Sequence, residues 1–340
     1  MTGRGLQETA QALVAGHKGI LAADEGDASI ETRFESIGIE STEANRRAYR
    51  DMLFTTPGAE EFISGVILFD ETIRQRALDG SPFPELLHAR GLIVGIKADI
   101  GAFPLPFAPG ETVTEGLDGL RSRLAEYREL GASFAKWRAP IAVGDGLPSD
   151  YAVHANTHAL ARYAAVSQEA GLVPIVEPDL LMDGTHSIGE SAAALSRVLQ
   201  SLYDELHDQR VDLAGTLLKP NMALSGYRAA DRAGVEEVAE ATLACFYGFV
   251  PAAVPGIVFL SGGQSSEDAT AHLDAMNRRG PHPWALSFSF SRALQNEALI
   301  AWGGKDVEAG QREYLKRARL NAAARAGAYT PGLELETTQA

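Results

Sequence analysis

The residue best placed for chemistry is Lys219, which ends the short apolar run Gly215-Thr-Leu-Leu and is followed by proline. The chain has only six lysines, and three of them, Lys97, Lys136 and Lys219, close segments that are typical of β-strands. A buried amine near other cations loses its proton more easily, because burial and like charge both penalise the ammonium form. Such an amine attacks carbonyl carbons, so Lys219 is the candidate for imine formation.

Other charged residues end similar apolar runs and could serve that imine. Side chains two residues apart on a strand share a face, so Lys136 and Arg138 would supply positive charge beside Lys219. Glu177 and Asp24 end two further runs and are the candidate acid and base. Imine formation needs a group that protonates a departing hydroxyl, and carbon–carbon cleavage needs one that removes a hydroxyl proton. Two carboxylates in different surroundings can divide these tasks.

Two loops have the composition of a phosphate-binding site. The Ser261-Gly-Gly-Gln264 turn follows the seventh apolar run, while Ser291 and Arg292 follow the eighth, where a helix is expected to begin. Glycine amides and a helix N-terminus after strands seven and eight form a recurrent phosphate cradle in barrels of parallel strands. A second cationic set, Arg33 and Lys97, could hold a phosphate at the other end of a substrate.

The sequence gives little support for a metal site. His154 and His158 are one helical turn apart, a spacing that suits a metal, but no third ligand is near them and they lie away from the strand ends. The one cysteine, Cys245, lies in an apolar stretch and is expected to be a buried hydrophobe. We therefore expect neither a metal nor a cofactor.

The elements that must position these residues are eight short apolar runs, each followed by a segment with helical periodicity. The runs end in polar residues at positions 24, 70, 97, 136, 177, 219, 261 and 289. Eight such units close most simply into an α/β fold, the (β/α)8 TIM barrel, with its active site at the carboxyl ends of the strands. An open doubly wound sheet would also fit the alternation, but it normally binds its ligand at one switch point.

Composition limits the partners and the number of domains. A net charge of −15 over 340 residues argues against nucleic acid and anionic membranes as partners. Since no linker-like stretch divides the chain, residues 1–332 are expected to form a single catalytic barrel domain and residues 333–340 a flexible C-terminal tail. The longest apolar stretch, Phe246 to Leu260, is broken by prolines and too short to span a bilayer. With no leader pattern at the N-terminus, a cytoplasmic protein is expected.

Seven segments carry distinctive motifs. In their order along the chain they are Gly19-Ile-Leu-Ala-Ala-Asp-Glu25, Gly95-Ile-Lys97, Phe134-Ala-Lys-Trp-Arg138, Pro174-Ile-Val-Glu-Pro178, Leu217-Leu-Lys-Pro-Asn-Met222, Phe259-Leu-Ser-Gly-Gly-Gln264 and Arg292-Ala-Leu-Gln295. From about residue 5 to residue 332 the chain resembles the class I fructose-bisphosphate aldolases. The resemblance implies a (β/α)8 barrel, usually a homotetramer, that acts in glycolysis and gluconeogenesis. Such an enzyme cleaves fructose 1,6-bisphosphate to dihydroxyacetone phosphate and glyceraldehyde 3-phosphate without a metal.

The resemblance also implies a role for each catalytic candidate. Lys219 would form the Schiff base, and Glu177 would serve dehydration of the carbinolamine. Asp24 would deprotonate the hydroxyl next to the scissile bond, while Lys136 and Arg138 would position and polarise the substrate.

The implied phosphate contacts fall into two groups, and the chain departs from the family pattern near both. The contacts are Ser261, Gly262 and Arg292 for the ketose 1-phosphate, and Ser29, Arg33 and Lys97 for the far phosphate. Thr32 replaces a lysine of the family and Asp27 adds a carboxylate, which together lower the positive charge near the far phosphate. Ser291 stands where animal members carry glycine, which could crowd a phosphate-binding amide. The tail lacks the terminal tyrosine of those members.

Two other interpretations stay open. Another imine-forming barrel, such as a transaldolase-like enzyme, would transfer the three-carbon unit instead of releasing it. A non-catalytic sugar-phosphate binder is a different class of protein. The combination of Lys219, Glu177 and Asp24 argues against it, because a binder needs no imine-forming lysine.

Overall fold

Eight parallel strands close into a barrel at the centre of the protein, in a computed structural model that describes residues 5–335. In chain order the strands are β1 (Gly19–Ala23), β2 (Ile63–Leu68), β3 (Ile93–Lys97), β4 (Ala102–Pro104), β5 (Thr112–Thr114), β6 (Phe134–Ile141), β7 (Val173–Leu180), β8 (Leu217–Leu218), β9 (Gly256–Phe259) and β10 (Ala285–Phe290). The barrel order is β1-β10-β9-β8-β7-β6-β3-β2, and parallel pairing of β2 with β1 completes the closure. The prediction of a (β/α)8 TIM barrel is confirmed.

Helices connect the strands on the outside of the barrel. They are α1 (Leu6–Leu13), α2 (Asp27–Glu35), α3 (Glu43–Phe54), α4 (Asp70–Arg74), α5 (Phe83–Ala89), α6 (Leu120–Glu129), α7 (Asp150–Glu169), α8 (Ile188–Asp208), α9 (Val235–Phe249), α10 (Ser266–Arg278), α11 (Arg292–Trp302) and α12 (Val307–Arg325). Three 3-10 helices span Ala59–Glu61, Leu213–Gly215 and Pro331–Leu335. On α8 the apolar face with Leu195 and Leu202 is fully buried.

All eight predicted apolar runs overlap barrel strands, but β6 and β7 continue beyond the predicted ends at Lys136 and Glu177, as far as Ile141 and Leu180. The strands that the sequence analysis did not predict are β4 and β5, an antiparallel hairpin in which Ala102 lies opposite Thr114. All three residues of β4 are exposed, so the hairpin carries no alternation of buried and exposed side chains that would have marked it. Strand β8 is short, and Lys219 extends it by donating its backbone N–H to the carbonyl of Val176 at 2.8 Å.

The inside of the barrel is filled by apolar side chains near the amino ends of the strands, against helix α1. This cluster contains Ala10, Leu13, Val14, Ile20, Ala22, Ile67, Phe134, Val173, Ile175, Leu217 and Val258. The ring of Phe134 demands glycine on the neighbouring strand, because a Cβ at Gly95 would lie 2.2 Å from that ring. The floor of the barrel is therefore closed and dry, which leaves the carboxyl ends of the strands for a ligand.

The chain after α12 returns to the barrel. Arg317 is fully buried and pairs with Glu334 at 2.7 Å, and Tyr329 donates its hydroxyl to the same carboxylate at 2.9 Å. The first residues of the predicted flexible tail, 333–335, thus belong to a short helix with a contact to α12. The rest of that tail, residues 336–340, lies outside the described residues.

Candidate active site

A cavity of about 510 Å³ opens at the carboxyl ends of the barrel strands, and its wall includes all twelve residues that the sequence assigned to a site. Six cationic side chains line it, from Arg33, Lys97, Lys136, Arg138, Lys219 and Arg292. Four carboxylates line it, from Asp24, Glu25, Glu177 and Asp179. The cationic excess, in a chain of net charge −15, favours an anionic ligand at this place.

The centre of the cavity is a buried chain of alternating charges. Lys136 Nζ lies 2.8 Å from Asp24 Oδ2 and 3.1 Å from Glu177 Oε2, and Lys219 Nζ lies 3.3 Å from Glu177 Oε1. The two lysine side chains are each only 4% exposed. Asp24 follows β1, Lys136 lies within β6, Glu177 lies within β7 and Lys219 follows β8, and the parallel barrel brings all four to one cavity. Two lysines and two carboxylates thus lie within one contact network.

The network shifts the pKa values of Asp24 and Lys136. Burial alone would raise the pKa of Asp24, but Lys136, then Lys219 and Lys97, outweigh burial and lower that pKa to about 2. Burial alone would lower the pKa of Lys136, but Asp24 and Glu177 outweigh it and raise the pKa above its ordinary value. Asp24 is therefore an anion, and hence a proton acceptor, at neutral pH.

One oxygen of Glu177 has an ion-pair partner but no hydrogen-bond donor. This Oε2 atom is buried and lies 3.1 Å from Lys136 Nζ, and among the described residues it receives no hydrogen bond. A buried carboxylate oxygen is costly to leave without a donor.

The loops after β9 and β10 form one wall. Gly262 and Gly263 have left-handed backbone conformations, with φ of +59° and +87°, which favour glycine. The hydroxyl of Tyr227 donates to the Gly262 carbonyl and so fixes this turn. Arg292 is the first residue of α11, where unpaired backbone N–H groups attract anions. The predicted phosphate cradle has the expected elements in the expected order.

The second cationic set comes from α2, which follows β1, and from the end of β3. Arg33 contacts Glu25, whose other oxygen lies 2.6 Å from Arg50 Nη2. Lys97 Nζ lies 2.6 Å from Asp99 Oδ1. Arg33 and Lys97 are thus held in place by carboxylates before any ligand arrives.

Arg138 occupies the rim of the cavity. Its Nε atom lies 2.6 Å from Asp179 Oδ2, and Asn221 Nδ2 donates to the other oxygen of Asp179 at 3.1 Å. The Arg138 side chain is 44% exposed, so it can reach an incoming substrate.

Glu25 and Arg50 line or adjoin the site without a role predicted from their sequence positions. Glu25 directly follows Asp24 in a recognised motif, so its position was a usable signal. Arg50 comes from α3, and it is only 3% exposed. An arginine on an amphipathic helix is usually solvated, so nothing in the sequence marked it.

The residues singled out as a possible metal pair lie elsewhere. His154 and His158, on α7, both contact the carboxylate of Glu205 on α8, and none of the three lines the cavity. Cys245 is buried, as predicted. Within residues 5–335 no helix is long and apolar enough to cross a membrane.

The chain is similar over nearly its whole length to proteins of one family. A family model described as fructose-bisphosphate aldolase class-I matches residues 5–340. A probable fructose-bisphosphate aldolase class 1 of Xanthomonas axonopodis pv. citri is 54% identical over 326 residues, which cover 95% of this chain and 97% of that protein. The cytosolic fructose-bisphosphate aldolase 6 of Arabidopsis thaliana is 52% identical over 315 residues, which cover 92% and 88%.

A solved structure shares the fold. It is a ternary complex of the fructose-bisphosphate aldolase from Plasmodium falciparum with TRAP and a small-molecule inhibitor. Its TM-score to this chain is 0.95 at 46% identity, with 96% of this chain and 95% of that chain covered.

Proposed function

The chain belongs to the class I fructose-bisphosphate aldolase family, and we propose that Lys219 is the lysine with which it forms a Schiff base during cleavage of fructose 1,6-bisphosphate. The observation that carries this assignment is the contact of Lys219 Nζ with Glu177 Oε1 at 3.3 Å, in a buried site. A proton can pass from the ammonium to that carboxylate. The transfer leaves a neutral amine beside a carboxylic acid, which are the two groups that imine formation requires.

The first half of the reaction builds the imine. The lone pair of Lys219 Nζ attacks the C2 carbonyl of the open-chain ketose and gives a carbinolamine. Glu177 protonates the C2 hydroxyl, which leaves as water and produces the iminium ion. The iminium then serves as the electron acceptor for the bond that breaks.

The second half breaks the carbon–carbon bond. Asp24 removes the proton of the C4 hydroxyl, the C3–C4 electron pair moves into the iminium, and glyceraldehyde 3-phosphate is released from the resulting enamine. Lys136 keeps Asp24 ionised through its contact at 2.8 Å. Asp24 then passes the proton that it removed to water. Water returns a proton to C3 directly or through Glu177, which gave up its own proton in the dehydration, and hydrolysis of the imine frees dihydroxyacetone phosphate.

Two groups of residues hold the two phosphates. The contacts for the phosphate near the imine are Ser261, Gly262, Ser291 and Arg292. The contacts for the far phosphate are Ser29, Arg33 and Lys97. Arg138 at the rim positions the substrate between the two phosphate sites.

The site is proposed to act without cofactor or metal in one catalytic domain, residues 1–332, of a cytoplasmic homotetramer. The cytosolic Arabidopsis relative supports the location. Exposed apolar side chains on the β4–β5 hairpin, Phe103 and Phe107, are suited to contact with a second copy. Light scattering coupled to size-exclusion chromatography measures the molar mass of the assembly. A monomer would contradict the proposed homotetramer.

Reduction with borohydride in the presence of dihydroxyacetone phosphate tests the nucleophile. Mass mapping should find the reduced adduct on Lys219, with activity unaffected by a chelator. The matched control is Lys136→Met, which keeps Lys219 and should still form the adduct at a lower rate. An adduct on Lys136, or chelator inhibition reversed by zinc, would overturn the assignment. Release of free dihydroxyacetone phosphate, against transfer of the three-carbon unit to an added aldose phosphate, separates this function from a transaldolase-like one.

A further inference from the structure

One serine at a helix start behaves differently from the others. In the described part of the chain four helices follow a serine, and at Ser149, Ser187 and Ser265 the hydroxyl accepts a hydrogen bond from a backbone N–H of the first turn. That is the usual use of a serine at this position. Ser291 makes no such bond, and its ψ is −83°, against 159° to 164° for the other three.

The hydroxyl of Ser291 contacts residues that follow β1, the strand next to β10 in the barrel. It donates to Glu25 Oε1 and accepts from Arg33 Nη1 at 3.3 Å. Gln295, one turn along α11, donates to the same Glu25 oxygen at 3.1 Å. The start of α11 is thus connected through the Glu25 carboxylate to Arg33 of α2.

Glu25 is fixed from its other side as well. Its Oε2 lies 2.6 Å from Nη2 of Arg50, and the Glu25 side chain is only 9% exposed. A carboxylate held by two guanidinium groups and a hydroxyl has little freedom to turn, so it fixes the direction in which Arg33 points.

The way Arg33 is held leaves one edge of its guanidinium unused. Nη1 contacts Glu25, Ser291 and Gln295, whereas Nε and Nη2 are buried and have no hydrogen-bond acceptor among residues 5–335. Nε and Nη2 form the planar fork that binds two oxygens of a phosphate. Arg33 lines the cavity, so an anion there would supply the missing acceptors.

We propose that Ser291 is a positioning residue that sets the preference for a substrate with a second phosphate, because through Glu25 it directs the free edge of Arg33 at that phosphate. The proposal rests on the function proposed above and concerns the same cavity. Since Arg292 begins α11 at the near-phosphate wall, the Ser291–Glu25 contact also links the two phosphate sites mechanically.

Steady-state kinetics with fructose 1,6-bisphosphate and fructose 1-phosphate test the proposal. Ser291→Ala should lower the ratio of the two kcat/KM values by about tenfold, chiefly through KM for the bisphosphate, as expected for one lost hydrogen bond to a charged group. Glu25→Gln should lower the ratio in the same direction. Ser291→Thr, which keeps a hydroxyl, should retain most of the ratio of the unmodified enzyme.

Two controls separate positioning from a structural effect. Ser265→Ala removes an equivalent serine at the start of α10 and should leave the ratio unchanged. Arg33→Ala should lower the ratio by itself, and adding Ser291→Ala to it should cause no further fall, because the two act through the same guanidinium. Equal losses for both substrates in Ser291→Ala, or an unchanged ratio, would overturn the proposal.

Failure of the inference and failure of the proposed function give different results. If the unmodified enzyme forms the borohydride adduct on Lys219 but the ratio does not respond to Ser291, only the role of Ser291 is wrong. If the enzyme forms no adduct and cleaves neither ketose, the proposed function is wrong.

Discussion

Two adjacent layers inside the barrel have opposite chemistry although they lie on the same strands. The lower layer contains Ala22, Phe134, Ile175 and Leu217, and the upper layer contains Asp24, Lys136, Glu177 and Lys219. Each upper residue follows its lower neighbour by two positions, which is about 6.6 Å along a strand on the same face. The change from apolar to fully charged side chains thus occurs within one step of the strand alternation.

The apolar lower layer explains why the charged side chains above it interact strongly with one another. The apolar layer closes the barrel from below, so the four charged groups interact with one another in surroundings of low dielectric constant. Water beneath them would weaken those contacts and compete for the protons they exchange. The lower layer should therefore determine stability, and the upper layer should determine chemistry.

The largest expected effect comes from the upper layer. Lys219→Met removes the nucleophile and should lower kcat by about 10⁴-fold, or about 5.5 kcal/mol in barrier. Its urea unfolding midpoint should stay close to that of the unmodified protein, because Glu177 keeps Lys136 as a partner. The measurement is bisphosphate cleavage with coupled detection of both triose phosphates. A residual rate within tenfold of the original would mean that the imine forms elsewhere.

The lower layer should show the reverse behaviour. Phe134→Ala leaves a cavity beneath the charges and should reduce the free energy of unfolding by about 3–5 kcal/mol. The kcat of the protein that remains folded should change little. Urea titration followed by tryptophan fluorescence gives the stability, and active-site titration with borohydride gives the folded fraction. A stable variant with lost catalysis would show that the two layers are not separable.

The two carboxylates of the upper layer should fail at different steps. Asp24→Asn should still form the imine while turnover falls by about a hundredfold or more, because a general base is lost. Glu177→Gln should slow imine formation itself, since the acid that expels water is lost. Single-turnover traces that resolve adduct formation from product release make the comparison. Indistinguishable traces for the two variants would contradict the division of labour.

The pKa of Asp24 gives a sharper test of the upper layer. Its pKa of about 2 contributes stability above about pH 4, and this contribution is lost as the pH falls toward 2. Lys136→Met removes the main opposing cation, so burial should then raise that pKa into the range above 4. Carbon-13 NMR of labelled aspartates, with Asp24→Asn to assign the signal, should show Asp24 titrating between pH 4 and 7 only in the variant. A signal that stays constant between pH 4 and 7 would mean that Lys219 and Lys97 keep Asp24 ionised without Lys136.

The two layers could be predicted from the sequence, whereas the contacts between distant loops and helices could not. An apolar residue lies two positions before each of Lys136, Glu177 and Lys219, so the alternation of the strands placed these three side chains without coordinates. Glu25 lies in the loop after β1 and Arg50 lies on α3, so no periodicity in the sequence predicts their contact. Ser291 was expected to crowd a phosphate-binding amide. That expectation stays a prediction, whereas the contact of the Ser291 side chain with Glu25 was not predicted.

The smallest effects should come from the rim. Thr32 lines the cavity and is exposed, whereas Asp27 is exposed on the first turn of α2 and is not part of the cavity wall. Thr32→Lys adds a cation that water screens, so it should raise the preference for the bisphosphate over fructose 1-phosphate by no more than about fivefold, or about 1 kcal/mol. Asp27→Ser should change that ratio less than twofold, because the Asp27 carboxylate is solvated and is farther from the ligand than the cavity wall.

The two rim variants are best measured at low and at physiological salt. A screened contribution should shrink as ionic strength rises, because the screening length falls to about 8 Å at 0.15 M. The contribution of Arg33, whose free edge is buried, should persist at the higher salt concentration. A salt-independent gain in Thr32→Lys would mean that the new lysine reaches the phosphate directly. The rim would then act as part of the buried site instead of as its solvated border.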